Sequence, residues 1–184
     1  MNGSFISEEG IAIIVTAILI PVTVFLLFRN FRSKGFRKSL VDNIAIVYFV
    51  FIYVLLLFPF HLSAHRNRTS IEINWIPFKD ITDYIRSGGQ GNLFSVIQDF
   101  LGNLFILMPA GAYLKIKEFK STNAALCIIL FGLSGELPQL IFSLILGFQY
   151  RIIDISDVIL NTIGAMIGFV VAGLVLKARS RITS

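Results

Sequence analysis

Three apolar stretches of this chain each carry a carboxylate and a side-chain amide at helical spacing: Asp99 with Asn103, Glu136 with Gln139, and Asp157 with Asn161. Side chains three or four positions apart share one helix face. A charge in hydrocarbon costs roughly 3 kcal/mol or more, so such groups rarely look at lipid. The spacing predicts three membrane helices that turn their polar pairs toward one another and build a common polar site. Two chemistries suit it. Asp99, Glu136 and Asp157 could hold a divalent cation such as Mg²⁺ or Mn²⁺ through oxygen, or Glu136 could act as general acid or base on a lipid-linked substrate. The amides instead offer donors and acceptors to the sugars and phosphates of a headgroup, which needs no cofactor.

Such pairs need long helices to carry them. The 184 residues are 55% hydrophobic and 15% charged, and several apolar runs reach the roughly 18–20 residues that span a bilayer. We expect an all-α, polytopic bundle in a single membrane domain, 1–184, with spans near 10–28, 40–60, 93–114, 122–146 and 156–176. The net charge of +5 does not point to nucleic acid. Basic residues cluster beside the apolar runs, where orientation signals and anionic headgroups account for them. Cys127 is alone in the sequence, so it forms no intrachain disulfide and no metal motif, and reads as a small buried hydrophobe.

Taken in order, the first run is followed by Arg29, Arg32, Lys34, Arg37 and Lys38 rather than preceded by them. That is the reverse of a signal peptide and fits an uncleaved span with its basic end inside. Lys115, Lys117 and Lys120, then Lys177, Arg179 and Arg181, fall on the same side of one threading. The N-terminus is therefore expected outside and the C-terminus in the cytoplasm. Pro21 is expected to kink the first span, and Pro59 to mark the exit of the second. In the long outer loop Phe78, Ile81, Tyr84 and Ile85 repeat at helical spacing and predict a short amphipathic surface helix, stopped by Gly88, Gly89 and Gly91. On this threading Asp99 and Asp157 lie near outer ends of their spans. Glu136 lies deeper, about 15 Å down.

Five short pieces carry a resemblance: Asn74-Trp75-Ile76-Pro77-Phe78; Gly102-Asn103-Leu104-Phe105-Ile106-Leu107-Met108-Pro109-Ala110-Gly111; Ser134-Gly135-Glu136-Leu137-Pro138-Gln139; Arg151 with Asp154 and Asp157; and Asn161-Thr162-Ile163-Gly164-Ala165-Met166-Ile167-Gly168. In this order, over about 74–169, they resemble the VanZ-like family of bacterial membrane proteins, named for a protein linked to teicoplanin resistance. Two positions depart from its pattern. Pro138 stands beside Gln139 where an acidic-acidic or Ile-Glu pair is common, and Trp75 stands where an aliphatic residue is common. The resemblance implies a cell-membrane protein whose phenotype is reduced susceptibility to lipophilic glycopeptides. It supplies no reaction.

Two functions follow as expectations. In the first, Asn74, Trp75, Asn103, Glu136, Gln139, Arg151, Asp154, Asp157 and Asn161 form an outer-leaflet site for a membrane lipid or envelope component, anionic or polyprenyl-linked, with Arg151 clamping the phosphate. In the second, the three carboxylates make a membrane enzyme. Each residue also has a plainer role. Asn103 and Gln139 serve as interhelical hydrogen-bond glue, Gly164 and Gly168 as a close-packing motif, and Arg151 and Trp75 as interfacial anchors. His61 and His65 read as solvated histidines. Five spans without an internal repeat suit transport poorly.

Overall fold

Long apolar runs have few stable choices, because an unpaired backbone amide in hydrocarbon costs several kcal/mol and the α-helix satisfies its own. In the computed structural model, which describes residues 8–57, 71–149 and 152–182, the runs are helical. Packing divides the chain into two compact units, Met1–Asn67 and Arg68–Ser184.

The first unit is a helical hairpin. Helix α1 spans Glu8–Lys34 with Pro21 inside it, and α2 spans Phe36–Leu57. Gly35 joins them at φ 72°, a conformation that favours glycine. Beside this turn Lys34 Nζ lies 2.6 Å from Asp42 Oδ2, and Asn30 Nδ2 donates to Asn43 Oδ1 at 3.1 Å. The expected second span runs to residue 60. Residues 58–60 lie outside the described part, as do Pro59, His61, His65 and Arg151.

The second unit runs β1 (Ile73–Asn74), α3 (Lys79–Arg86), α4 (Leu93–Ile106), α5 (Met108–Ile116), α6 (Ser121–Leu146), β2 (Ile153–Asp154) and α7 (Ile155–Ile182). The amphipathic helix expected after Phe78 is α3. The third span, 93–114, is expected from the sequence as one continuous helix, but the structure has two, broken at Leu107 with φ −104° and ψ 3°. Pro109 explains the break. It has no N–H to give the carbonyl of Phe105, and its ring would collide there if the helix ran straight through. Among the described residues, three stretches are long and apolar enough to cross a membrane: Leu93–Ile116, Ser121–Ile145 and Ile155–Ile182. The count of five spans goes beyond this.

Helix α7 is the axis of the unit, with α4, α5 and α6 all packed on it. Small residues set the distance. A Cβ on Gly164 would land on the Leu104 carbonyl oxygen, one on Gly168 on the Met108 carbonyl oxygen, and one on Gly111 on the Ala165 carbonyl oxygen. The Gly164–Gly168 spacing thus does what its pattern predicts and brings α7 against the α4–α5 break backbone to backbone. Leu107, Ala110, Leu114, Leu160 and Ala165 fill the seam, while Phe94, Phe105, Leu144, Val170 and Leu174 face outward, as a lipid-bathed bundle requires. The sequence reading missed the two-residue parallel ladder, in which Ile73 pairs with Ile153 and Asn74 with Asp154.

The glycine seam makes an expected contrast. Gly111→Leu or Gly168→Leu drives a side chain into a carbonyl and should lower the unfolding midpoint in detergent, by roughly 1–3 kcal/mol or more. A Cβ on Gly102 would meet nothing within 4 Å, so Gly102→Ala should be neutral or stabilising by up to about 1 kcal/mol. Equal effects at the three positions would contradict the close approach.

Candidate functional site

The polar site is assembled where α7 begins. Asp154, the last residue of β2, takes the N-cap role: its Oδ1 accepts from the Ser156 N–H at 2.6 Å. Its Oδ2 accepts from Asn74 Nδ2 at 2.6 Å, across the strand pair. Its own N–H donates to Glu136 Oε2 at 3.2 Å. One turn further along α7, Asp157 Oδ1 accepts from Asn103 Nδ2 of α4 at 2.6 Å. Four elements therefore meet here: β1, α4, α6 and the β2–α7 junction. Both carboxylates at the start of α7 lie where the helix dipole favours negative charge.

Glu136 is 5% exposed and Gln139, one turn along α6, is 0% exposed. Asn161, one turn beyond Asp157, is 2% exposed, and its Oδ1 finds no hydrogen-bond partner among the described residues. These are inward-facing groups, as their spacing predicts. The carboxylates reach across to other elements: Asp157 accepts from Asn103 of α4 and Glu136 from the β2 backbone. Burial of Glu136 calls for a proton, a cation or a ligand, and the Asp154 N–H answers part of that need.

Asp99 stands on the exposed side of α4. Among the described residues, no three His, Cys, Asp or Glu side chains are placed to hold a metal ion. The expected cation set of Asp99, Glu136 and Asp157 is therefore not assembled: Glu136 and Asp157 are directed to separate hydrogen bonds, and Asp99 lies at the surface. Trp75, beside Asn74, is 70% exposed. Arg151, the expected anion clamp, lies outside the described residues.

Sequence reasoning missed two supporting residues. Ser156 is buried, and its Oγ accepts from the Phe78 N–H at 2.9 Å. That bond ties down a residue at φ 57°, a left-handed conformation costly for a bulky side chain. Gln149 is fully buried, and its Nε2 donates to the Glu72 carbonyl at 3.1 Å. The Asp-x-Ser spacing at 154–156 was a readable signal, since an Asp side chain commonly accepts from the N–H two residues on. Nothing in the sequence around Gln149 points to residue 72.

The rim of the site is acidic. Burial pushes the Asp80 carboxyl above its ordinary value, aided by the negative charges of Asp154, Asp99 and Asp83 and opposed by Lys79. Asp80 thus reports that α3, α4 and the β2–α7 junction share one field.

The VanZ/LLP1 family model matches residues 45–176, from within α2 to near the end of α7. No curated protein and no solved structure matches the chain.

A carboxyl whose folded pKa is raised binds its proton more tightly in the folded state, so it adds stability at low pH that is lost as pH rises through that pKa. Asp80→Asn should therefore raise the unfolding midpoint at pH 7, with a benefit that shrinks as pH falls through the raised value. A benefit that is constant with pH would show that burial and neighbouring charge do not penalise the ionised form there.

Proposed function

The chain belongs to the VanZ/LLP1 family, and from that premise we propose that it is a membrane protein that lowers susceptibility to lipophilic glycopeptides of the teicoplanin type by binding a lipid or envelope component. The binding region is the polar site at the start of α7. The basic clusters orient the chain with five spans, the N-terminus outside and the C-terminus in the cytoplasm of a bacterial cell, so the site opens toward the outer leaflet.

The observation that supports this reading most is the convergence on Asp154. Buried Glu136, Asn74 and the α7 start meet there, beside an exposed Trp75. A tryptophan at the headgroup level and a fixed set of carboxylates and amides beneath it suit a ligand that is apolar at one end and hydroxylated or charged at the other. Asp157 and the Asn103, Gln139 and Asn161 amides would contact sugar hydroxyls or an amine. Arg151 would take a phosphate in two parallel hydrogen bonds. Binding is favoured over metal-assisted chemistry because no three-ligand set is assembled among the described residues.

Two variants test this reading. Glu136→Ala and Asn161→Ala are each expected to abolish protection in a glycopeptide-susceptibility assay while the protein still reaches the membrane in parental amounts. Full protection by both variants would contradict the site. Arg151→Ala should lower the anionic lipid that co-purifies with the protein; equal recovery from variant and parent would remove Arg151 as the phosphate contact.

A further inference from the structure

Residues 71–78 cross the β2–α7 junction and are held there by few contacts. Their ladder with β2 is two residues long, and pairing that short is marginal. Three bonds from side chains complete the fastening. Gln149 Nε2 donates to the Glu72 carbonyl at 3.1 Å, Asn74 Nδ2 to Asp154 Oδ2 at 2.6 Å, and the Phe78 N–H to Ser156 Oγ at 2.9 Å. None of residues 71–78 is itself buried, and Trp75 and Ile76 at the tip are 70% and 60% exposed. The residues it is fastened to are buried: Gln149, Ile153 and Ser156. A segment that buries so little of itself lies at the low-stability end of a fold, where local opening is easy.

Two features weigh against the closed arrangement. Phe78 ends the segment at φ 57°, a conformation costly for a bulky residue and relieved once the segment is let go. Gln149 gives its Nε2 to Glu72 but keeps a buried Oε1 with no hydrogen-bond partner among the described residues, so the seam holds an unmet acceptor. Closure also occupies the polar site. Asp154 Oδ2 is engaged by Asn74 of the segment, and a ligand donor competes with it for that oxygen.

We propose that residues 71–78 are a strap that pivots at Phe78 and lifts off β2, freeing the Asp154 carboxylate for a ligand's hydroxyl or amine. Lifting breaks the ladder, the Asn74–Asp154 bond and the Phe78–Ser156 bond together. Asp154 stays bonded to Ser156 and Glu136 on its other sides, so the freed oxygen keeps its place. The Phe78 ring lies 6.3 Å from that of Phe100 and fixes the pivot to α4. Trp75 and Ile76 hold the lifted tip at the headgroup level, where a tryptophan ring is at home. The role of Asp154 as a ligand contact rests on the site proposed above; the motion does not.

Hydrogen exchange of the full chain in detergent micelles reads the motion at residues 71–77, a stretch that excludes the Phe78 amide itself. Ser156→Ala removes the acceptor of that amide. It is expected to raise exchange at 71–77 roughly tenfold, the scale of one hydrogen bond, with residues 160–168 of α7 unchanged. Unchanged exchange at 71–77 overturns the proposal. So does a rise of the same size at 160–168, which would mean that the whole unit loosens. Should Ser156→Ala fail to fold, a lock decides. Ile73→Cys with Ile153→Cys, in a Cys127→Ser background, ties the strap to β2, and the oxidised form is expected to exchange at 71–77 more slowly than the reduced form. Equal exchange in the two forms overturns the strap. The same lock tests the gate. In a glycopeptide-susceptibility assay the cross-linked chain is expected to lose protection, and each single-cysteine variant to keep it. A cross-linked chain that protects in full while Glu136→Ala does not would leave the site standing and overturn the strap. Full protection by Glu136→Ala, with the exchange changes above, would contradict the site and leave the strap in place.

Discussion

Hydrocarbon cannot hydrogen-bond a carboxylate or an amide, and that constraint shapes the second unit. Glu136 sits in a helix surrounded by apolar residues and can be tolerated only if something polar reaches it. One group that reaches it is backbone. The N–H of Asp154 points at Glu136 Oε2 because β2 ends there and α7 begins. The same residue's carboxylate is engaged from two sides, by Ser156 N–H and Asn74 Nδ2. A two-residue ladder is too short to stand by itself. It persists as part of this cluster, in which each buried polar group supports the geometry of the next.

The glycine seam is the second half of the same design. Helices in lipid gain little from the hydrophobic effect and associate through close packing and interhelical hydrogen bonds. With Gly164, Gly168 and Gly111 each covered by a neighbouring backbone carbonyl, α7 lies close enough to α4 for Asn103 to reach Asp157 with a short side chain. The break at Leu107 belongs to this arrangement. It separates the stretch of α4 that brings Asn103 to the site from the stretch of α5 that packs along α7, two tasks that a straight helix would have to share.

Much of this could be read from the sequence, for reasons that differ by element. The apolar runs and their basic flanks declare membrane helices, because length and charge are fixed by bilayer thickness. Asn103, Glu136, Gln139 and Asn161 declare an inward face, because the cost of exposing them to lipid is high. The α3 helix declares itself by period. The partners of these groups were not legible. Spacing puts each carboxylate and amide on an inward face but does not say which group of another element it meets, and nothing local encodes an alignment between residues 74 and 154. Gln149 and Ser156 act on backbone groups far away in the chain, so their neighbours in sequence give no hint. Pro109 is visible in the sequence, but a membrane helix tolerates proline as a kink, so the full break at Leu107 is not legible from it.

The convergence itself can be measured in native membranes without altering any of the polar groups. Ile73 and Ile153 are register partners in the ladder that brings Asn74 to Asp154, and paired strand residues lie within the Cα separation of about 4.4–6.8 Å that a disulfide spans. In a Cys127→Ser background, Ile73→Cys with Ile153→Cys is expected to cross-link within one chain under mild oxidation, and to leave the protein able to reach the membrane. Two reactive thiols that fail to join, or that join only between separate chains, would show that Asp154 is not held beside Asn74 and Glu136.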